Sequence, residues 1–363
     1  MLTTVVSFII VLGVLVFFHE FGHFMVAKWS DMRVEEFAIG MGPRILGTEY
    51  GETFYSIRAF PLGGFCKITG EMPMDDEIDE EEKEIYLEAK RNNKCFFQKS
   101  IWKRIAVVVM GPIMNFLLAG LLFAVIFGMY GQPVDMQDQA VIGRVLPQQP
   151  AYQAGVEEGD KVLAVDEQPV NTWQELATEI NKHPEEEINL RIKRNEELIN
   201  IAVTPQAKER LNPDTGSTSK KGIIGITPPL IRKEVGFFDS IALGFEKTVL
   251  MIQAIAVGLW QMITGQLKAD VSGPVAIAQM VGRASKTGLL RVLELAAIIS
   301  VNLGFMNLLP IPALDGGRLV FLGVEVVRGK AVDPETEGRA HMVGFVLLIL
   351  LLIVVTFKDI FMG

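Results

Sequence analysis

Four long apolar runs dominate the pattern of hydrophobic and polar positions along this chain. They occupy residues 4–26, 105–130, 289–309 and 342–357, and the second carries no charged residue. Apolar runs of this kind are typical of helices that cross the hydrocarbon core of a bilayer. The pattern therefore predicts an α-helical multi-pass membrane protein with four transmembrane helices.

A fifth apolar segment, residues 237–266, differs from these runs because it has a polar side. Glu246, Lys247 and Gln253 supply that side, and amphipathic helices of this kind lie in the membrane interface. A crossing here would invert the helix that follows and would move the basic loop 318–330 to the outside. We therefore expect 237–266 to be interfacial.

Basic residues are concentrated in the short segments beside the predicted spans. Such loops mark the cytoplasmic side of a membrane protein. They follow the first span, precede the second, and separate the third from the fourth: Lys28, Arg33, Lys99, Lys103, Arg104, Arg318, Arg328 and Lys330. The N-terminus, the stretch 131–288 and the C-terminus are therefore expected outside.

A polar module lies between the second and third spans. Residues 140–170 predict a strand, a turn, a short helix and a second strand, followed by an amphipathic helix at 172–183 and strands at 187–194 and 197–205. This order, with "QAGVEEGDKVLAVDEQPV" at its core, resembles an α+β PDZ domain, a fold that binds extended peptides, often C-termini, by strand addition. Peptide recognition and steric screening of a membrane site both remain open for this module.

Composition adds little beyond the membrane class. The chain has 363 residues, 50% of them hydrophobic, and its two cysteines, Cys66 and Cys95, are too few for a disulfide framework. Most of the net charge of −9 comes from "DDEIDEEEKE" at 75–84, predicted to be a solvated loop, with partner binding as the alternative. The N-terminus has no charged region and no A-x-A-like site, so a cleavable signal peptide is not expected. We expect no nucleic-acid partner.

Three ionisable residues interrupt the first apolar run in the motif "HEFGH". His19 and His23 are four residues apart, so on a helix both imidazoles lie on one face and can share a metal ion. Glu20 lies beside His19, where a general base can act on a metal-bound water. Burial of one ionisable group in a bilayer costs about 2.5–3.5 kcal/mol on insertion scales, so three together favour a functional site over packed core histidines.

A catalytic zinc site needs a third protein ligand, and "NLGFMNLLPIPALDGGRL" at 302–319 offers Asp315. Pro310 and Pro312 cannot continue a regular helix, and open backbone at membrane depth requires protein or water around it. Asp315 can then face the two histidines of the first span. The alternative is that Asp315 only caps a loop beside Arg318.

Depth supports this pairing, because the first and third spans run in the same direction. The motif lies in the inner half of the first span, and Asp315 follows the inner end of the third. The remaining histidines are weaker candidates: His183 lies in the polar module, and His341 precedes the fourth span, where we expect a capping role.

Taken together, "HEFGH" in the first span and "NLLPIPALDGG" in the third resemble the site-2 protease family of intramembrane zinc metalloproteases. With the PDZ module, "GPIMN" and "SGPVAIAQ", the resemblance extends over nearly the whole chain and points to the bacterial branch typified by the regulator of sigma-E protease. Members of that type carry two tandem PDZ domains, whereas this sequence shows one.

The resemblance implies a zinc metalloendopeptidase in the bacterial inner membrane, with the PDZ domain outside and the active site towards the cytoplasm. Expected substrates are single-span membrane proteins already trimmed outside, such as anti-sigma factors or remnant signal peptides, and membrane lipid surrounds the enzyme. A receptor or chaperone with a structural metal site is one rival, and a transporter is the other. A structural metal site would have four protein ligands, whereas the sequence offers three and a glutamate positioned to act as a base, which argues against the receptor. The absence of a detectable inverted repeat argues against the transporter.

The resemblance also implies roles for individual residues. Zn²⁺ would be held by His19, His23 and Asp315, with Glu20 as the base. Asn307 would hold the substrate backbone or the oxyanion, or alternatively bond carbonyls freed by the two prolines. For Asn115 in "GPIMN", contact with substrate and packing between helices both remain open. Three loop residues either pair with substrate or belong to an ordinary hairpin: Gly63, Gly64 and Phe65.

That loop, residues 53–71, is predicted to form two short strands joined near "PLGG", a membrane-associated β-hairpin beside the active site. The whole chain is expected to divide as follows: 1–28 first transmembrane helix, 29–103 cytoplasmic-side loop, 104–131 second transmembrane helix, 132–230 PDZ domain, 231–288 interfacial amphipathic helices, 289–320 third transmembrane helix, and 340–360 fourth transmembrane helix.

Overall fold

The computed structural model describes residues 2–71, 80–211, 218–266 and 273–361. Its contacts separate one compact unit, Met1–Met129 with Gly236–Gly363, from a second, Tyr130–Val235. The first unit begins with five elements: α1 (Leu2–Trp29), β1 (Val34–Tyr50), β2 (Thr53–Ile68), α2 (Glu80–Arg91) and α3 (Ile101–Tyr130).

The second unit is the polar module, a small α+β domain. Its elements are β3 (Gln132–Asp135), β4 (Arg144–Val145), α4 (Pro150–Gln153), β5 (Lys161–Val165), β6 (Gln168–Pro169), α5 (Trp173–Asn181), β7 (Ile188–Arg194), β8 (Glu197–Val203), β9 (Gln206–Leu211), β10 (Thr218–Ile223), β11 (Ile226–Thr227) and β12 (Leu230–Lys233). An antiparallel sheet in the order β6-β5-β7-β8 packs its apolar residues into one buried core. The Thr172 side chain accepts a hydrogen bond from the Glu175 backbone N–H, and the Glu175 side chain accepts one from the Thr172 backbone N–H. This capping box starts α5 where the sequence predicts it.

Five helices complete the first unit: α6 (Phe237–Ile263), α7 (Pro274–Thr287), α8 (Leu289–Asn307), α9 (Asp315–Arg328) and α10 (Pro334–Phe361). By length and composition, α1, α3, α6, α8 and α10 could each cross a membrane, one more than the four predicted spans. The predicted third span, 289–320, is two helices, because Pro310 and Pro312 interrupt it between Asn307 and Asp315.

Helices α1 and α3 pack antiparallel at close range. Asn115 of α3 contacts His19, and the earlier residue Met110 contacts the later residue Gly22. A Cβ on Gly22 would lie 2.4 Å from the Met110 carbonyl oxygen, so the two backbones touch there. The glycine is therefore what lets α3 approach the part of α1 that carries the histidines.

Helix α8 is also antiparallel to α3. The Ser300 hydroxyl donates to the Asn115 carbonyl oxygen at 2.8 Å, whereas Gly304, further along α8, faces the earlier residue Pro112. Since α1 and α8 both oppose α3, they run parallel to one another. The end of α3 and the start of α8 consequently lie at the same end of this helix bundle.

Strands β1 and β2 form a curled antiparallel ribbon in which Ala38 pairs with both Phe65 and Ser56. The prediction of two strands within 53–71 is wrong, because β2 runs on through that stretch and its partner is β1. The chain reverses at Gly51, whose φ of +66° suits a tight turn. "PLGG" is part of the strand.

Charged side chains fix the turn of this ribbon to the end of α1. Glu52 accepts hydrogen bonds from Lys28 at 3.0 Å and Lys94 at 2.9 Å. Partial burial would raise the pKa of the Glu52 carboxyl, but the two lysines lower that pKa below its ordinary value. The ribbon is therefore held against α1 by charge as well as by packing.

The predicted acidic loop at 75–84 is wrong for its second half. Residues 75–79 lie outside the described residues, but 80–84 form the first turns of α2. Glu, Lys, Leu and Ala all favour helix, and Lys90 and Arg91 complement the helix dipole in the last turn.

Candidate metal centre and active site

Three side chains from two distant parts of the chain meet in the first unit. His19 Nε2 and His23 Nε2 are 3.3 Å apart, and Asp315 Oδ2 lies 3.2 Å from the first and 3.6 Å from the second. Zn²⁺ bonds of about 2.0–2.2 Å in a tetrahedral site place neighbouring ligand atoms about 3.3–3.6 Å apart. Asp315 Oδ2 is buried, and no described residue forms a hydrogen bond with it. The donor set therefore fits Zn²⁺ with one position left for water or substrate.

The second nitrogen of each imidazole also has a partner. His23 Nδ1 lies 2.9 Å from the Val107 carbonyl oxygen, an acceptor that keeps the proton on Nδ1 and leaves Nε2 for a metal. His19 Nδ1 lies 3.0 Å from Asn115 Nδ2. A His19 that ligates through Nε2 has its proton on Nδ1, so this contact places two donors face to face.

Asn115 resolves that conflict by rotation of its amide. The residue is fully buried, and its Oδ1 has no hydrogen-bond partner among the residues that the structure describes. After a 180° turn of the amide, Oδ1 accepts a hydrogen bond from His19 Nδ1–H, and the two donors no longer face each other. The metal-binding tautomer of His19 thus requires this orientation, and Asn115 contacts a candidate ligand.

Gly111 makes room for the second histidine. A Cβ at this position would lie 2.2 Å from His23 Nε2 and 2.5 Å from its Cε1. Gly111 is the glycine of "GPIMN", and the space that its missing side chain leaves is occupied by the imidazole of His23.

Asp315 is the first residue of α9, after the non-helical stretch 308–314. Gly316 and Gly317 follow, and a Cβ on either would fall within 2.4 Å of a carbonyl oxygen of that stretch. Arg318 forms its ion pair with Glu71. Asp315 is thus in contact with the histidines, and the alternative of a loop cap beside Arg318 is not what the structure contains.

Glu20 faces strand β2. A Cβ on Gly64 would lie 3.2 Å from Glu20 Cγ and 2.8 Å from Val16 Cγ1, and the Cys66 backbone hydrogen-bonds to the Glu20 carboxylate. Gly63 has a φ of +83°. The ribbon therefore touches the candidate base directly through the segment named from the sequence.

The remaining predicted residues flank this site. Phe65 lies under the Arg58 guanidinium, 4.8 Å from Cζ to the ring centroid. Asn307 is the last residue of α8, next to the non-helical stretch, and its side chain forms no hydrogen bond with any other described residue. The alternative in which Asn307 bonds carbonyls freed by Pro310 and Pro312 is therefore absent from the described contacts.

Sequence reasoning missed the contacts that hold α9 in place. Arg104 of α3 donates two hydrogen bonds to the Glu325 carboxylate, at 3.0 and 2.5 Å, and Arg318 pairs with Glu71 at the end of β2. The sequence marks Arg104 only as a basic residue beside the second predicted span. No local pattern identifies a partner 221 residues away.

The chain also matches known proteins over almost its full length. The model of peptidase family M50 matches residues 7–351. The zinc metalloprotease RasP of Geobacillus kaustophilus is 36% identical over 99% of this chain and 98% of its own length. The regulator of sigma-W protease RasP of Bacillus subtilis is 33% identical over 98% of each chain.

Among solved structures, the PDZ domain of an SdrC-like protein from Listeria monocytogenes is 18% identical over 25% of this chain and 87% of that chain. Its TM-score of 0.20 decides nothing about the module. The family match and the full-length relatives do decide the class of the whole protein. The chain belongs to peptidase family M50, the site-2 proteases, and is a membrane-bound zinc metalloprotease.

Proposed function

We propose that this protease hydrolyses peptide bonds within the transmembrane segments of single-span proteins that have already been trimmed outside. The observation that carries the proposal is the position of the ligand cluster. His19 and His23 lie inside α1, an uninterrupted apolar helix of 28 residues, and His19 is only 8% exposed. A site at that depth is suited to a substrate segment that is itself in the membrane.

The proposed chemistry assigns one role to each group. His19, His23 and Asp315 would hold Zn²⁺, which when bound lowers the pKa of a water and polarises the scissile carbonyl. Glu20 takes a proton from the attacking water and passes it to the leaving amide nitrogen. The His23 and His19 rings are held in the required orientation by the Val107 carbonyl and the Asn115 amide.

The substrate must present an extended backbone, because a helix hides each amide in its own hydrogen bonds. We assign this step to the segment of β2 at Gly63, Gly64 and Phe65, which lies against α1 beside Glu20. Strand addition there would bring a scissile bond to the base. The Asn307 side chain, which has no described partner, is assigned to the substrate backbone or the oxyanion.

The relatives support the proposed substrate class. One is named for regulation of sigma-W, so membrane-anchored anti-sigma factors are the substrates proposed first, with remnant signal peptides second. The module Tyr130–Val235 is proposed to be a PDZ domain outside the bacterial inner membrane. It would bind a peptide C-terminus or exclude substrates that still carry a bulky domain.

We further propose that four of the five apolar helices cross the membrane, with α6 in the interface. The end of α3 and the start of α8 lie at the same end of the bundle, so the intervening chain crosses an even number of times. Among its described residues only α6 is long and apolar enough to cross. A single crossing by α6 would contradict the parallel course of α1 and α8.

Cysteine labelling tests this topology. In a background with Cys66 and Cys95 replaced by Ala, Gln266→Cys should react with a membrane-impermeant thiol reagent added outside. Lys330→Cys, in the loop before α10, should react only after permeabilisation. Labelling of Gln266→Cys from the inside alone would show that α6 crosses.

The function itself is tested with a tagged single-span substrate in liposomes. We expect cleavage by the purified protein, loss of cleavage after zinc removal by a chelator, and recovery on adding Zn²⁺. Mass spectrometry of the fragments should place the cut within the apolar segment. A zinc-loaded protein that cuts none of several trimmed substrates would favour a receptor role. Cuts found only outside the apolar segment would contradict cleavage within the membrane.

A further inference from the structure

His341 does not cap α10, as the sequence suggested, but lies within this helix and contacts the stretch that leads to Asp315. Its Nδ1 accepts a hydrogen bond from the Ala313 backbone N–H at 2.8 Å. An acceptor at Nδ1 places the imidazole proton on Nε2, which lies 3.8 Å from a Glu337 carboxylate oxygen. The contact joins residues that are 28 positions apart.

Ala313 has an unusual backbone, with a φ of +79°. That region is uncommon for a residue with a Cβ, and it persists only where surrounding structure enforces it. Ala313 precedes the third metal ligand by two residues. Rotation at its φ would swing Asp315 away from the two histidines.

The same face of α10 makes a second contact with this stretch. Gly344 is three residues after His341, so the two lie on one side of the helix. A Cβ on Gly344 would fall 2.3 Å from the Pro312 carbonyl oxygen and 2.6 Å from its carbonyl carbon. Gly316 and Gly317 of α9 approach the same stretch as closely.

The far end of α10 is fixed as well. Asp359 accepts hydrogen bonds from the backbone N–H groups of Gly273 and Ala276 at the start of α7, at 3.2 and 2.9 Å. The helix is otherwise largely exposed along its apolar length. The contacts of His341 and Asp359 thus join α10 to other elements at two places, and one of them is the approach to the metal centre.

We propose that His341 is a positioning residue for the metal centre: its Nδ1 holds Ala313 in the left-handed conformation that directs Asp315 towards His19 and His23. This inference rests on the proposed role of Asp315 as a ligand. His341 does not touch the metal position, the substrate or the base.

The test measures zinc affinity by chelator competition in full-length Glu20→Gln protein, where turnover plays no part. The Oδ1 of an Asn side chain occupies the place of the imidazole Nδ1, whereas the polar atoms of Gln reach the place of Nε2. We therefore expect His341→Gln to weaken zinc binding about 10-fold, and His341→Asn to keep it within about twofold. His183→Gln, in the polar module, is the matched control and should change nothing.

A Co²⁺-loaded sample adds a spectroscopic readout. His341→Gln should lower or shift the visible absorption of tetrahedral Co²⁺, and His341→Asn should restore it. Equal zinc affinity in all variants would overturn the inference, because residues 308–314 would then keep their conformation without the hydrogen bond to His341. Equal weakening of zinc binding in His341→Asn and His341→Gln would overturn it too. Zinc affinity would then depend on packing of the imidazole ring and not on the hydrogen-bond acceptor at Nδ1.

The parent protein separates this inference from the proposed function. If Glu20→Gln with an intact His341 binds no zinc, the proposed ligand set fails and the inference fails with it. If the parent binds zinc and the protein with native Glu20 cleaves substrate, a negative result in the His341 series removes only the inference.

Discussion

Replacing Glu20 by Gln should lower the rate of substrate cleavage by about 10²–10⁴-fold, the usual contribution of a general base, while the zinc content stays that of the native protein. Gln has the shape of Glu but cannot take a proton from water at neutral pH. Glu20 is not one of the three side chains whose donor atoms meet, so the proposed ligands His19, His23 and Asp315 are all still present in this variant.

The measurement pairs initial cleavage rates with zinc analysis on the same samples. Glu246→Gln, an exposed glutamate on α6, is the matched control and should cleave at the native rate. A zinc-loaded Glu20→Gln protein that cleaves as fast as native would assign the base to another group. Loss of zinc in this variant would instead mean that Glu20 is a ligand.

Replacing Gly111 by Ala should remove zinc and activity together. The added methyl would lie 2.2 Å from His23 Nε2, far inside any real contact. The ring cannot move away without losing the Val107 carbonyl that orients Nδ1. Since disturbance of one outer-shell contact typically weakens metal binding about 10–100-fold, displacement of a ligand itself should cost at least that much.

Zinc affinity of the purified variant is the direct readout, with cleavage as the second. Gly13→Ala is the matched control, because Gly13 lies in α1 and an added Cβ would meet nothing within 4 Å. Both variants place the same small residue in a membrane helix, so a general effect on insertion would appear in both. Native zinc binding by Gly111→Ala would contradict the position of the His23 ring.

The apolar runs, the metal-binding motifs and the break at Pro310 and Pro312 were all readable in the sequence. Each depends on short-range rules: helix length against bilayer thickness, the i, i+4 spacing of His19 and His23, and the inability of proline to continue a helix. The strands and helices of the polar module were predicted for the same reason, since period-2 and period-3.6 patterns are local.

The tertiary structure decided which distant groups meet. It paired β2 with β1 instead of folding 53–71 on itself, and it placed Asn115 against His19. It also placed His341 Nδ1 where it accepts a hydrogen bond from the Ala313 backbone N–H. These contacts depend on backbone approach at particular glycines and on a φ that Ala rarely adopts, so no pattern along the chain indicates them. Sequence by itself determined the elements and the chemistry they carry, whereas only packing of those elements determined what orients that chemistry, because orientation depends on side chains that are distant in sequence and adjacent in space.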